Sequence, residues 1–153
     1  MHLRNGFDLG TYTQILSNVS HGSIPPFNTL KGMVAWGDHA HFAFALFAPL
    51  FWIVPSPLTV LVIQALVITT SAWALFAIAQ DRLKSYLFSF TVLLSYLLFF
   101  GVQYALDGDF HANVLTAAAL AWSFYAFHFK KWRLFWVVFG IGLLTREDAA
   151  VFY

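Results

Sequence analysis

Three short clusters hold the residues most able to do chemistry. Arg146-Glu147-Asp148 closes an apolar run, Asp109-Phe110-His111 lies between two such runs, and Asp38-His39-Ala40-His41 precedes another. Carboxylates beside imidazoles can move protons or hold a divalent cation. An arginine among them can grip an oxyanion through charge-assisted hydrogen bonds. Each cluster also has a plainer reading. Arg146 can pair with its neighbouring carboxylates and close a short helix. Asp109 can cap a helix starting at Ala112, and His39 and His41 can anchor at a membrane interface. Two residues apart, His39 and His41 share a face only on extended chain, which is no established metal signature. Asp8 can likewise cap a helix that starts beside it. Cysteine is absent, so thiolate nucleophiles, Cys-ligated metals and disulfides are excluded.

The elements that must position these residues are set by the solvent. The chain has 153 residues, 60% of them hydrophobic and only 10% charged, where a soluble domain carries about 25% charged residues. Eight Lys and Arg and seven Asp and Glu cannot cover the surface of a soluble domain this small. The composition excludes a soluble enzyme and a disordered chain, and points to lipid as the solvent. A net charge of +1 gives no polybasic field for nucleic acid.

Leu58–Gln80 is an uncharged run of about 23 residues, enough to cross a hydrocarbon core of about 30 Å as a helix. Ser85–Leu106 is a second run, Ala112–Phe129 a shorter third, and a fourth starts at Leu134. The expected fold is therefore all-α: a polytopic bundle of about four spans over 58–153. His41–Val54 is apolar but marginal as a span, and Pro49 and Pro55-Ser56-Pro57 suit a segment that turns back. It is expected as a re-entrant or interfacial helix; as a span it would invert every later helix and put both basic loops outside. In 1–40, the outer-face juxtamembrane segment, Leu9, Tyr12, Ile15, Leu16 and Val19 recur at helical spacing, predicting an amphipathic helix over Asp8–Val19. Thr29–Trp36 predicts a small hairpin. The whole of 1–153 reads as a partial integral membrane domain: it opens on an outer-face segment and stops inside an apolar run.

Short loops force the helices to alternate in direction. Asp81–Lys84 and Lys130–Arg133 then share one face, with Arg82, Lys84, Lys130, Lys131 and Arg133 on it. By the positive-inside rule that face is cytoplasmic. Asp8, Asp38, Asp107, Asp109, Glu147 and Asp148 collect on the opposite, extracytoplasmic side. The spans have no charge at mid-depth, where a transporter usually needs ionisable groups or broken helices. Polarity crowded at one surface suits chemistry on a lipid head group.

Several short motifs occur in a fixed order: Phe7-Asp8-Leu9-Gly10 with Gln14, Gly37-Asp38-His39 with His41-Phe42, Pro55-Ser56-Pro57-Leu58-Thr59, Asp109-Phe110-His111 and Arg146-Glu147-Asp148-Ala149-Ala150. In this order they resemble the membrane proteins of domain-of-unknown-function family 2079, from about Phe7 to the last residue. That family is distantly similar to the GT-C superfamily of polytopic glycosyltransferases, which includes the lipid A aminoarabinose transferase and protein mannosyltransferases. The resemblance implies a prokaryotic cell-membrane enzyme that takes a sugar from a polyprenyl-phosphate-linked donor on the extracytoplasmic face. The first-loop acid of that superfamily falls on Asp8, and the juxtamembrane helix on His41–Val54. Asp8, with Glu147 and Asp148, would be catalytic. Arg146, Asp109, His111 and Gln14 would bind substrate, and Asp38, His39 and His41 could hold a divalent cation. The rival readings are a transporter or flippase half-bundle, and a non-catalytic membrane scaffold whose Asp and His residues do not converge.

Overall fold

The computed structural model describes residues 6–39, 41–107, 109–146 and 151. Among them the fold is all-α apart from one two-stranded hairpin. The amino-terminal helix α1 runs Phe7–Ser20, matching the apolar spacing of the sequence. Strands β1 (Phe27–Asn28) and β2 (Met33–Val34) pair antiparallel, Phe27 opposite Val34 and Asn28 opposite Met33. The hairpin thus opens two residues before its expected start. The reason lies in Asn28, whose side-chain oxygen accepts the N–H groups of Leu30 (2.9 Å) and Lys31 (3.3 Å) and builds the turn. Gly32 completes it with φ +67°, a conformation that favours glycine.

A short helix α2 (Ala35–Asp38) follows the hairpin. The segment expected as one helix over His41–Val54 divides into a 3-10 helix (Phe42–Phe47) and a helix α3 (Ala48–Ile53), with Pro49 in the first turn of the latter. It packs along α1: the Trp52 indole donates to the Ser20 carbonyl at 2.8 Å. Ser56 and Pro57 then start the longest helix, α4 (Pro57–Leu83), the serine hydroxyl accepting the Leu58 N–H. Helix α4 ends at Lys84, in the left-handed conformation with φ 51°.

Beyond α4 the chain turns into α5 (Tyr86–Leu97) and α6 (Phe100–Leu106), which meet at a 50° bend. No proline causes the bend. The Gln103 side-chain amide donates to the Leu97 carbonyl at 2.6 Å, satisfying an oxygen released where the helix breaks. Helices α7 (Asn113–His128) and α8 (Trp132–Leu143) follow.

One helix among the described residues, Pro57–Leu83, is long and apolar enough to cross a membrane, and the bent α5–α6 pair would make a second. Only 33% of the most apolar stretch of α4 is buried. A core helix of a soluble protein would be mostly covered. Leu58, Val62, Leu66 and Trp73 of α4 are instead exposed, as are Leu87, Phe88 and Phe90 of α5 and Trp136 and Val137 of α8. That breadth of apolar exposure is what a lipid solvent accommodates. Four full-length spans are not reached. With 16 residues in α7 and 12 in α8, these helices extend about 24 and 18 Å. Helix α8 stops because the Thr145 hydroxyl turns back onto the Gly142 carbonyl, while the Leu144 carbonyl accepts the Ala43 N–H at 2.8 Å.

The well-packed core lies at one end of the α4–α7 pair. Tyr12, Ile15 and Leu16 of α1 meet Phe44, Ala48 and Phe51 of the turning segment, Val60 and Ile63 of α4, Phe110 and Ala112 just before α7, and Leu115 within it. Farther along, α4 and α7 bury mostly small side chains, among them Ser71, Ala72, Ala118 and Ala119, which let their backbones approach. At the far end the His128 imidazole meets the Asp81 carboxylate at 2.8 Å. The loops 81–84 and 128–131 therefore share that end, while Asp8, Asp38 and Asp109 lie at the other, as the alternation of helices requires.

Candidate functional site

At the well-packed end, α1, the hairpin, α2 and the start of α7 enclose a polar cavity of about 180 Å³. Asp8, Thr11, Tyr12 and Ile15 line it from α1. Their i, i+3, i+4, i+7 spacing puts all four on one helical face. The hairpin and its turn contribute Asn28 and Lys31, and the segment after it contributes Asp38, His39 and His41. His111, Asn113 and Arg146 close the opposite wall. Clusters more than a hundred residues apart in sequence thus meet around one space.

Helix α1 is aimed by Asp109. Its carboxylate accepts the N–H groups of Gly6 (3.1 Å) and Leu9 (2.8 Å), and also its own neighbour's at Phe110 (2.8 Å). A carboxylate at a helix amino terminus meets unpaired donors and the positive end of the helix dipole. Asp109 therefore caps α1 across the chain. It does not cap α7, which starts at Asn113 without a side-chain cap. Asp109 lies outside the cavity lining, so the structure places it behind the site.

The loop bearing Asp109 is fixed in turn by Gln64, which is almost fully buried in α4. Its amide donates to the carbonyls of Ala105 (2.7 Å) and Asp109 (3.1 Å), and its oxygen accepts the His111 N–H at 2.7 Å. Gln64 falls within the uncharged run Leu58–Gln80. Its partners are 41 to 47 residues away, beyond the reach of local pattern.

Within the cavity, Lys31 pairs with Asp38, and its ammonium also sits 5.8 Å from the centre of the Phe7 ring. The Lys31 hydrogen bond holds the Asp38 carboxyl below its ordinary range, against a smaller opposing effect of burial. His41 is buried, with Nδ1 2.7 Å from the Thr145 carbonyl. A carbonyl only accepts, so Nδ1 carries the hydrogen. The rings of His39 and His41 lie 5.3 Å apart. Arg146 donates to the Asn113 side-chain oxygen. Asp8 is half-buried and makes no side-chain hydrogen bond or ion pair among the described residues.

The sequence-derived site therefore assembles in part. Asp8, Asp38, His39, His41, His111 and Arg146 share the cavity. Gln14 does not: its amide clasps Thr29, donating to the hydroxyl at 2.7 Å and accepting the Thr29 N–H at 2.9 Å, and so ties α1 to the hairpin. Glu147 and Asp148 lie outside the described residues. Asp38, His39 and His41, expected to hold a divalent cation, all line the cavity, and no group of three or more His, Asp or Glu able to hold a metal comes together among the described residues. Lys31 pairs with one oxygen of the Asp38 carboxylate, and His41 Nδ1 meets the Thr145 carbonyl. Lys31, Asn28 and Thr11 are lining residues that the sequence did not single out; the hairpin turn and the face of α1 bring them in.

His111 and Asn113 also line a second space, an apolar groove of about 460 Å³ walled by Ile68, Tyr96, Phe99, Val102 and Val114. The groove opens at the α5–α6 bend. A polar cavity and an apolar groove thus share one wall.

No match was found among curated proteins or solved structures. A family model described as Predicted membrane protein (DUF2079) matches residues 1–153, and the chain belongs to that family of membrane proteins.

Proposed function

We propose that the protein is a GT-C-like membrane glycosyltransferase that moves a sugar from a polyprenyl-phosphate-linked donor to an acceptor hydroxyl. In this reading α4, the bent α5–α6 pair, α7 and α8 are the four crossing segments, the two short helices being accommodated by local bilayer thinning. The basic loops then mark the cytoplasmic side, and the cavity opens on the extracytoplasmic one.

The observation that carries the reading is Asp8, a carboxylate without a partner among the described residues, on the wall of a cavity that also holds Arg146 and three imidazoles. Such a carboxylate is available as a general base. The acceptor hydroxyl gives its proton to Asp8 while its oxygen attacks the anomeric carbon. The bond from that carbon to the phosphate oxygen breaks, its electron pair leaving with the polyprenyl phosphate. The Arg146 guanidinium stabilises the charge that develops there. The apolar groove beside His111 and Asn113 supports a donor with a hydrocarbon tail. A scaffold would not need its acids and histidines to converge on one space.

The test is sugar transfer from a polyprenyl-phosphate donor by the protein in liposomes. Asp8→Asn is expected to lower turnover by about 10²- to 10⁴-fold. Undiminished turnover removes Asp8 from the mechanism. Movement of the lipid across the bilayer without a covalent product makes the protein a flippase instead.

A further inference from the structure

Two buried polar groups in the cavity play no part in the mechanism above and have no hydrogen-bond partner among the described residues. The Thr11 hydroxyl and the Asn28 amide nitrogen make no hydrogen bond among the described residues, although Thr11 is 5% exposed and Asn28 0%. Both residues line the cavity. Buried polar groups in native proteins are nearly always satisfied, and an orphaned one is costly. The Asn28 orientation is not arbitrary. Its oxygen is held by the N–H groups of Leu30 and Lys31, which leaves the NH₂ as the unused half of the amide. Thr11 stands three residues after Asp8 on the same face of α1, one turn from the proposed base.

We propose that Thr11 and Asn28 form a subsite that orients a neutral hydroxyl-rich group of the substrate, the amide donating to a ligand oxygen and the threonine hydroxyl bridging to another. Charge favours this class over a phosphate. Among the described lining residues, the carboxylates of Asp8 and Asp38 balance the cations of Lys31 and Arg146. What the subsite adds is hydrogen-bonding capacity without net charge, which suits a carbohydrate ring. The inference rests on the glycosyltransferase reading for the fate of the ring, but not for its binding.

The experiment measures binding of a panel of simple methyl glycosides, with inorganic phosphate as the anionic control, to the protein in nanodiscs. Thr11→Val removes a hydroxyl that no described protein group uses, so the thermal midpoint stays or rises while glycoside affinity falls about three- to tenfold. Thr11→Ser restores the hydroxyl and with it the affinity. Asn28→Asp keeps an oxygen for the turn but cannot donate, and weakens the glycoside further. Unchanged affinity in both Thr11→Val and Asn28→Asp, or binding of phosphate with no glycoside bound, overturns the proposal. Sugar transfer by the wild type with an unaltered KM in both variants also overturns it, while leaving the enzyme assignment standing. Glycoside binding that depends on both residues without any transfer does the reverse.

Discussion

The Asp109 carboxylate accepts the backbone N–H of Leu9 at 2.8 Å, across 100 residues of sequence. Asp8 is the residue just before that N–H, and its own carboxylate lines the cavity. One acid thus fixes the helix end from which the other is presented. The two should separate cleanly on mutation. Asp109→Ala leaves the amino terminus of α1 without its cap and should cost about 1–2 kcal/mol of stability. Asp8→Asn leaves every described contact in place and should leave the thermal midpoint unchanged while removing transfer. Thermal unfolding in detergent, run beside the transfer assay, checks both. Equal loss of stability in the two variants would make Asp8 a second cap.

Gln64 extends the same chain of support from α4 to the loop. Gln64→Leu keeps volume but strands the His111 N–H and the carbonyls of Ala105 and Asp109 in the interior. An unsatisfied buried group costs about 1–3 kcal/mol, and shared rearrangement limits the sum, so a loss of about 2–4 kcal/mol is expected. Hydrogen exchange should accelerate first at His111. Gln64→Glu keeps the acceptor for His111 and should fall between the two.

The Lys31–Asp38 pair predicts a pH dependence of definite sign. Its hydrogen bond holds the Asp38 carboxyl below the ordinary range. A carboxylate depressed in the folded state stabilises the fold above its unfolded pKa of about 4, and loses that contribution as pH falls through the lower folded value. Stability from this pair is therefore flat between neutrality and about pH 5 and declines only in strong acid. Lys31→Gln should weaken the protein slightly at neutral pH and make the acid decline shallower. Both residues are partly exposed, so the effect is modest and should shrink in high salt. An identical acid limb in wild type and variant would show that the pair contributes nothing.

How much of this was legible in the sequence depends on the range of the interaction involved. The α1 helix was, because Tyr12, Ile15 and Leu16 recur at helical spacing and do enter the core. The long helix was, because its apolar run is uninterrupted and Ser56-Pro57 is a local start signal. The bend between α5 and α6 was not. Its run contains no proline or charge, and the carbonyl it frees is taken by Gln103 through a contact that periodicity cannot express. In the site, Asp8, Asp38, His39, His41 and His111 were legible as residue types, and their gathering at one end followed from alternating helices. Their individual roles did not follow. Asp109 and Gln14 carry the same chemistry as a ligand-binding acid and amide, and only their partners show that they hold α1.

The absence of cysteine makes the topology directly measurable, since any thiol introduced is the sole labelling site. Arg133 and Asp107 are both exposed, at opposite ends of the helix pair. With α4 crossing the bilayer, Asp107→Cys and Arg133→Cys should react with a membrane-impermeant maleimide from opposite sides of sealed, oriented vesicles. Reaction of Asp107→Cys from the outside is the outcome that the basic loops at the other end require. Labelling of both thiols from one side would mean that α4 does not cross. Its exposed Leu58, Val62 and Leu66 would then need a protein partner as cover, and the cavity would lose its place at the lipid surface.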